Sequence, residues 1–151
     1  NDTTSIEGID KRLSILVAED NLVNQKVVGA LLERLGLSAT MASDGAEAVR
    51  LCESSQFDII LMDMMMPVMD GLEAARSVRG SQSCGQPYII ALTANASEED
   101  RRRCRDAGMN DFVTKPLRRE ALVAAFDRFA LSRFTASNEG REPSYVSEPA
   151  I

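Results

Sequence analysis

The stretch FDIILMDMMMPVMDG, residues 57–71, places an apolar run directly before a carboxylate and a turn. Residues 59–62 are all apolar, which is typical of a strand buried on both faces of a sheet. Asp63 ends the run, and Met66-Pro67 provides a turn signal soon afterwards. Ligands of open α/β sheets bind at the carboxyl ends of the strands. Asp63 is therefore either a functional residue or a helix cap, and this stretch alone leaves both readings open.

The same pattern recurs along residues 13–132, where short apolar runs alternate with segments of helical spacing. Strands are predicted at 13–18, 38–42, 57–62, 87–92 and Asp111–Thr114, and helices at 23–35, Gly45–Ser54, 71–78, 97–107 and 117–129. In the first helix, Val23, Val27 and Val28 belong to the apolar spacing. The alternation predicts one α/β domain, a five-stranded parallel sheet flanked by five helices in a doubly wound arrangement.

The two ends of the chain lack this pattern. Residues 1–12 are polar and without periodicity, and we expect a linker or a disordered N-terminus. Residues 133–151 contain Gly, Ser, Pro and Glu and few apolar residues, and we expect a disordered C-terminal tail. Because the chain begins at Asn1 instead of Met, we expect it to be a fragment of a longer protein.

The composition excludes several classes of function. A net charge of −6 argues against a nucleic-acid surface, and no apolar run is long enough to span a bilayer. Three widely spaced cysteines are typical of reduced thiols in a cytoplasmic protein. Whether a longer parent protein is anchored in the inner membrane stays an open question. The chain contains no histidine, so its chemistry has to rest on carboxylates, hydroxyls and lysine.

Polar residues of distinct chemical types follow four of the predicted strands. Glu19 and Asp20 end the first strand, Asp63 the third, Thr93 the fourth and Lys115 the fifth. A parallel sheet brings all its carboxyl ends to one edge, so we expect these side chains to converge.

A cluster of three carboxylates raises at least one pKa by mutual repulsion unless a cation joins it. Mg²⁺ suits the cluster best, because it binds through one or two carboxylates together with water and phosphate oxygens. Lys115 then makes sense as a fixed cation for a phosphoryl group on Asp63, with Thr93 adding a hydroxyl. The cluster predicts phosphoryl transfer to a carboxylate.

Each residue of this set also has a purely structural interpretation. Asp20 or Asn21 is suited to cap the following helix. Asp63 fits turn chemistry, Thr93 fits an ordinary strand end, and Lys115 alone fits a solvated surface position. Four strand ends that each carry the required chemical type are improbable by chance, so the joint functional interpretation is preferred.

Four segments together resemble the receiver domain of two-component response regulators. They are LVAEDN at 16–21, DIILMDMMMPVMDG at 58–71, ALTA at 91–94 and FVTKPL at 112–117. The resemblance covers residues 13–132 and implies the flavodoxin-like (βα)5 fold. The segment AEDNLVNQ at 18–25 resembles receiver domains of hybrid sensor histidine kinases more than it resembles free-standing regulators. A free-standing single-domain regulator stays the alternative.

The resemblance implies a role for each converging residue. Asp63 is the expected phosphoacceptor, with a phosphohistidine of a histidine kinase or histidine phosphotransfer domain as donor. Asp20 and Asp63 are expected to ligate Mg²⁺, with Glu19 acting largely through water and the backbone carbonyl of Met65 as a further ligand. The only reactions that the resemblance implies the domain to catalyse are its own phosphorylation and its own slow dephosphorylation.

The same resemblance implies a conformational switch. Thr93 is the expected switch hydroxyl, Lys115 the phosphate-binding lysine and Phe112 the switch aromatic residue, with a cis bond before Pro116. Met65 and Asn95 lie where family members guide the water molecule that removes the phosphoryl group. Because the side chain of Met65 is apolar, we expect a phosphorylated state that is not among the shortest-lived.

Two rival functions and the possible partners of the domain remain to be considered. An aspartate-nucleophile phosphatase of the haloacid dehalogenase type is disfavoured, because its Asp-x-Asp pair follows the first strand. A pseudo-receiver that is never phosphorylated conflicts with the complete residue set. The arginines at 101–103 and 105 are expected to form a solvated helix face, with a docking surface for an acidic partner as the alternative. No contact of the domain itself with nucleic acid or membrane is expected, and a weak homodimer stays open.

Overall fold

The computed structural model of the chain describes residues 11–139, and their side chains as far as Arg133. The expectations for residues 1–10 and 140–151 lie outside this range. None of the helices within it is both long enough and apolar enough to cross a bilayer.

Strands and helices alternate through the described range, as predicted. The strands are β1 (Ile15–Ala18), β2 (Ala39–Ala42), β3 (Ile59–Asp63), β4 (Tyr88–Thr93) and β5 (Asp111–Thr114). The helices are α1 (Leu22–Arg34), α2 (Gly45–Ser54), α3 (Gly71–Gly80), α4 (Glu98–Asp106) and α5 (Arg119–Glu139).

All neighbouring strands pair in parallel, in the order β2-β1-β3-β4-β5. Ala18 pairs with Met62, Asp63 with Leu92, and Thr93 with Thr114. The carboxyl ends of β1, β3, β4 and β5 are therefore level at one edge of the sheet. The predicted doubly wound α/β fold is confirmed.

Alternate residues of the strands pack into two cores, one on each face of the sheet. Ile59 and Leu61 of β3 point into a core shared with α1 and α5. Ile60 and Met62 point into a core shared with α2, α3 and α4. The apolar run is uninterrupted because both faces of β3 are covered.

The three cysteines, Cys52, Cys84 and Cys104, are buried and free, as expected for small core residues. Burial together with the neighbouring Cys84 thiol raises the pKa of Cys52 to about 12. The Cys52 thiol therefore stays protonated at neutral pH and packs as a small apolar group.

The capping residues of the first three helices resolve two of the alternatives left by the sequence. The side chain of Asn21 accepts the backbone N–H of Asn24 at 3.0 Å and caps α1. Asp44 caps α2 and Asp70 caps α3 in the same way. Asp20 and Asp63 are therefore not helix caps, and their carboxylates are available for another role.

Two sequence predictions differ from the structure. Val23 and Val27 are exposed by 67% and 46%, although they share the apolar spacing of α1, whereas Val28 is buried. The apolar stripe is wider than the face that the sheet covers. Helix α5 continues to Glu139, so residues 133–139, which we expected to belong to a disordered tail, are helical. This extension contains helix-forming residues, and its low content of apolar residues does not prevent a helix from continuing.

Candidate functional site

Three carboxylates meet at the carboxyl edge of the sheet. Glu19 and Asp63 are buried, with 1% and 3% of their surface exposed, and Asp20 is exposed. One carboxylate oxygen from each of these three residues lies within 4.8 Å of the other two. The predicted acidic cluster is present, with two buried carboxylates and one exposed carboxylate.

Glu19 is held in place by the first turn of α1. Its Oε2 accepts the backbone N–H of Asn21 at 3.1 Å and the side-chain amide of Asn24 at 3.3 Å. Its Oε1 is buried and has no hydrogen-bond partner. Burial raises the pKa of Glu19, the Asn21 N–H opposes this shift, and the charge of Asp63 adds to it. A buried oxygen that accepts no hydrogen bond, beside two more carboxylates, is suited to a hard cation.

Lys115 brings a positive charge to the same cluster. Its Nζ lies 3.0 Å from Oδ1 of Asp63 and 3.6 Å from Oε1 of Glu19. Burial lowers the pKa of Lys115, but the hydrogen bond and charge of Asp63, together with the charge of Glu19, raise it overall. The ammonium group is therefore charged at neutral pH. The Lys115–Pro116 peptide bond is cis, as predicted.

The loop after β3 holds Asp63 through close backbone contacts. The N–H of Met65 donates to Oδ1 of Asp63 at 3.3 Å, and the N–H of Gly71 donates to the carbonyl of Met64 at 3.1 Å. A Cβ on Gly71 would collide with the carbonyl oxygen of Asp63 and approach the Cα of Met64 to 2.9 Å. Glycine at position 71 is required because backbone fills the space of a side chain.

Replacing Gly71 with Ala is expected to lower the free energy of unfolding by about 1–3 kcal/mol, because the added methyl group overpacks the Asp63 backbone. Gly80→Ala is the matched control, since a Cβ there meets nothing within 4 Å and position 80 ends α3. Urea unfolding of both variants measures the difference. Equal unfolding free energies for the two variants would contradict the close approach.

Thr93 lies at this edge, but its hydroxyl is engaged within its own loop. The Oγ1 atom donates to the carbonyl of Asn95 at 2.8 Å and accepts the N–H of Asn95 at 3.1 Å. The backbone carbonyl of Thr93 accepts the N–H of Lys115 at 2.8 Å. The position of Thr93 at the end of β4 agrees with the sequence, and its role in the site stays a prediction. Nothing in the sequence indicated the bonds to Asn95.

Phe112 on β5 is half-buried and lies under a cation. The guanidinium carbon of Arg101 is 4.8 Å from the centre of the Phe112 ring, a cation–π distance. Arg103 forms an ion pair with Asp100 at 3.6 Å. These arginines thus make contacts within the domain, which favours the structural interpretation of the arginine-rich helix over a docking surface.

Two cavities differ in their relation to this cluster. One of about 430 Å³ opens beside it, between α1 and the segment after β5, lined by residues that include Glu19, Val27, Val28, Leu92, Lys115 and Leu117. A larger cavity of about 560 Å³ lies at the amino edge of the sheet, near Asp58 and Tyr88. The smaller cavity is the relevant one, because the converging charged residues border it.

Sequence reasoning missed the residues that orient Glu19. Besides Asn24, the side chain of Gln25 donates to the backbone carbonyl of Glu19 at 2.7 Å. Both residues lie in the first turn of α1, five and six positions after Glu19. An amide-rich first turn soon after an acidic strand end was therefore the available signal. The backbone carbonyl of Met65 stays a predicted ligand.

Residues 15–127 match the family model described as the response regulator receiver domain. The chain belongs to the response regulator receiver family. Among curated proteins, this receiver domain is 37% identical over 122 residues to hybrid signal transduction histidine kinase K of Dictyostelium discoideum. It is 41% identical over 115 residues to histidine protein kinase 1 of Candida albicans. These matches cover 76% and 70% of the chain, but only 10% and 5% of the two relatives.

Two solved structures resemble the receiver domain closely. The receiver domain of a sensor histidine kinase from Pseudomonas aeruginosa, with a magnesium ion in its active site cleft, has a TM-score of 0.72 and 45% identity. That alignment covers 78% of this chain and 97% of the other. The second is a co-crystal structure of the Saccharomyces cerevisiae histidine phosphotransfer protein Ypd1 with the receiver domain of Ssk1, at a TM-score of 0.73 and 31% identity. It covers 80% of this chain and 90% of the matched one.

Proposed function

We propose that this receiver domain accepts a phosphoryl group on Asp63 from a phosphohistidine, with Mg²⁺ held by the acidic cluster. The observation that carries the proposal is the 3.0 Å contact of Lys115 Nζ with Asp63 Oδ1, directly beside Glu19 and Asp20. A buried carboxylate with a fixed cation and two further carboxylates around it has the parts that phosphoryl transfer requires.

In the proposed step an Asp63 oxygen attacks phosphorus, an O–P bond forms and the P–N bond to the donor imidazole breaks. The electron pair of the broken bond stays on the imidazole nitrogen. The Lys115 ammonium neutralises charge on the phosphoryl oxygens, while Met65 N–H orients the attacking carboxylate. Asp70 caps the following helix, so the attack by Asp63 costs no helix-capping bond.

Mg²⁺ at the cluster would neutralise the phosphoryl oxygens and offset the repulsion among the three carboxylates. Glu19, Asp20 and Asp63 would hold it. The buried Oε1 of Glu19, which accepts no hydrogen bond, supports this assignment, and all three residues offer the hard oxygen ligands that Mg²⁺ prefers. The carbonyl of Met65 is the further proposed ligand.

Mg²⁺ is expected to raise the free energy of unfolding by about 2.7 kcal/mol at a free concentration one hundred times its Kd. Asp20→Asn should lose most of this gain, because it removes the exposed carboxylate of the cluster. Asp127→Asn, on the exposed face of α5, is the matched control and should keep the gain. Chemical unfolding with and without Mg²⁺ measures the effect, and an equal gain in both variants would exclude Asp20 as a ligand.

The pH dependence of this gain follows from Glu19, whose pKa lies above its ordinary value of 4.5 because of burial. Between 4.5 and the raised value, the folded state binds more protons than the unfolded state. Without Mg²⁺, the contribution of Glu19 to the unfolding free energy therefore increases as pH falls through this window. Protons and Mg²⁺ compete for the carboxylate, so the gain from Mg²⁺ should shrink in the same window.

The proposed switch uses Thr93 and Phe112. The Thr93 hydroxyl would exchange its two bonds to Asn95 for a phosphoryl oxygen, because the phosphoryl group offers a charged acceptor. Phe112 would then move towards the space that Thr93 leaves. In the present structure the Phe112 ring is half-buried under Arg101. A half-buried ring can become more buried, as the proposed movement requires.

The surface beside the cluster suits a helical donor protein. Leu22, Val23 and Val27 of α1 are exposed by 70%, 67% and 46%. Val27 also lines the cavity of about 430 Å³ that reaches Lys115. Exposed apolar residues grouped around a charged site are typical of a protein-binding surface. We therefore assign phosphoryl delivery to a histidine phosphotransfer protein or a kinase domain docked on α1.

The test is phosphoryl transfer from a phosphorylated histidine phosphotransfer protein, compared with transfer from acetyl phosphate. Val23→Asp should slow transfer from the protein donor about tenfold, since burying the new charge removes roughly 1–2 kcal/mol of binding. It should leave transfer from acetyl phosphate unchanged. Ala124→Asp, at an exposed position of α5, should change neither rate. Equal slowing from both donors would contradict docking on α1.

The proposal extends to the parent protein. The curated relatives above are a hybrid histidine kinase and a histidine protein kinase, of which this chain spans 10% and 5%, so a hybrid kinase is the proposed parent. Three buried free cysteines support a reducing, cytoplasmic location. A free-standing regulator is the second candidate. The phosphatase and pseudo-receiver alternatives are disfavoured by the position of Asp63 at the third strand and by its contact with Lys115.

A further inference from the structure

Five of the seven methionines of the chain lie between positions 62 and 69, around the phosphoacceptor. All seven are within the described residues, and Met65 alone among them is exposed, with 78% of its surface accessible. Met62 and Met109 are buried, and the others are partly covered. The proposed function uses the backbone of Met65 and leaves its thioether without a role.

Met65 is also the methionine bonded to the reacting group. Its backbone N–H donates to Oδ1 of Asp63 at 3.3 Å, so its side chain begins at the rim of the carboxylate cluster. Asp63 itself is only 3% exposed. A chemical change in the Met65 side chain therefore occurs at the solvent side of a nearly buried carboxylate.

We propose that Met65 is an oxidation site, and that its conversion to the sulfoxide shortens the lifetime of phosphorylated Asp63. The second part of the inference, the shorter lifetime of phosphorylated Asp63, rests on the proposed function. With hydrogen peroxide as oxidant, the sulfur lone pair attacks one peroxide oxygen and an S–O bond forms as the O–O bond breaks. The sulfur is oxidised by two electrons, and the peroxide is reduced to water.

Exposure determines which methionine reacts, because susceptibility to oxidation follows accessibility. The thioether of Met65 is apolar and does not orient a water molecule. The sulfoxide carries a polar oxygen that accepts hydrogen bonds. Placed two residues from the phosphorylated carboxylate, this oxygen can accept a hydrogen bond from the water that attacks phosphorus.

The test combines two measurements on the full chain. After mild hydrogen peroxide treatment, peptide mass spectrometry should find the first added oxygen atom on Met65. With acetyl phosphate and Mg²⁺, the treated protein should lose its phosphoryl group about fivefold faster than the untreated protein, which corresponds to one hydrogen bond of ~1 kcal/mol. Methionine sulfoxide reductase should restore the original lifetime.

Three variants make the assignment specific. Met65→Leu should show the same lifetime before and after peroxide, because it has no sulfur at this position. Met65→Gln, without peroxide, should already show the shorter lifetime, since its amide oxygen is an acceptor of similar reach. Met69→Leu is the matched control in the same loop and should keep the response to peroxide.

Two results would overturn the proposal. One is oxidation of a partly covered methionine, such as Met64 or Met69, before Met65. The other is an undiminished effect of peroxide on the lifetime of Met65→Leu. If the untreated protein takes no phosphoryl group from acetyl phosphate, the proposed function fails instead, and the order of oxidation still decides whether Met65 is the modified residue.

Discussion

Asp63→Asn is expected to abolish stable phosphorylation by acetyl phosphate and by a phosphohistidine donor. The amide keeps the size of the carboxylate and can still accept the N–H of Met65, so the loop after β3 should hold its shape. It lacks the negative oxygen that attacks phosphorus, and no histidine is available to replace it. The measurement is incorporation of labelled phosphate per chain, alongside circular dichroism to confirm a cooperative fold.

Asp58→Asn is a less clean control, because it would replace the charged acceptor of the 2.8 Å hydrogen bond from the backbone N–H of Ser14, next to β1, with a weaker neutral one. Asp127→Asn, at an exposed position of α5, is the better control and should accept phosphate as the parent chain does. Normal incorporation into Asp63→Asn would mean that another residue is the acceptor.

Lys115→Ala is expected to slow phosphorylation by acetyl phosphate by about 10²-fold, the typical effect of removing one preorganised electrostatic group. The reason is the position of Nζ, 3.0 Å from Asp63 and 3.6 Å from Glu19. Without Mg²⁺, the variant should also lose about 1–3 kcal/mol of stability, because two buried carboxylates lose their shared cation. Adding Mg²⁺ should restore much of this stability without restoring the rate.

Lys26→Ala is the matched control, since it removes the same charge from an exposed position of α1. Its rate with acetyl phosphate should equal that of the parent chain. Stopped-flow or quenched sampling gives both rates, and urea unfolding gives the stabilities. Equal rates for Lys115→Ala and Lys26→Ala would show that the 3.0 Å contact has no part in the transfer.

The fold and the converging residues were predictable because both depend on strand ends. Uninterrupted apolar runs such as 59–62 identify strands covered on both faces, and parallel strands place their carboxyl ends together. Glu19, Asp63 and Lys115 could therefore be brought together from the sequence without knowing any distance. The resemblance to receiver domains then supplied roles that spacing alone does not contain.

Other features depend on contacts between segments that the sequence does not order. The Thr93 hydroxyl bonds to Asn95, and the sequence does not indicate this partner because a hydroxyl at a strand end can bond to many neighbouring groups. The exposure of Val23 depends on how α1 is rotated against the sheet, because an apolar stripe wider than the buried face predicts no single rotation. Helix α5 extends past residue 132 because a low content of apolar residues limits packing against the core but does not prevent the helix from continuing.

The central claim is tested most directly by locating the phosphoryl group. The chain is incubated with a phosphohistidine donor and Mg²⁺, the acyl phosphate is trapped by reduction, and the modified peptide is sequenced by mass spectrometry. We predict one phosphoryl group per chain, on Asp63, and none when Mg²⁺ is chelated. Phosphate on another residue, or incorporation at Asp63 that is unaffected by chelation, would contradict a magnesium-dependent phosphoacceptor at the end of β3.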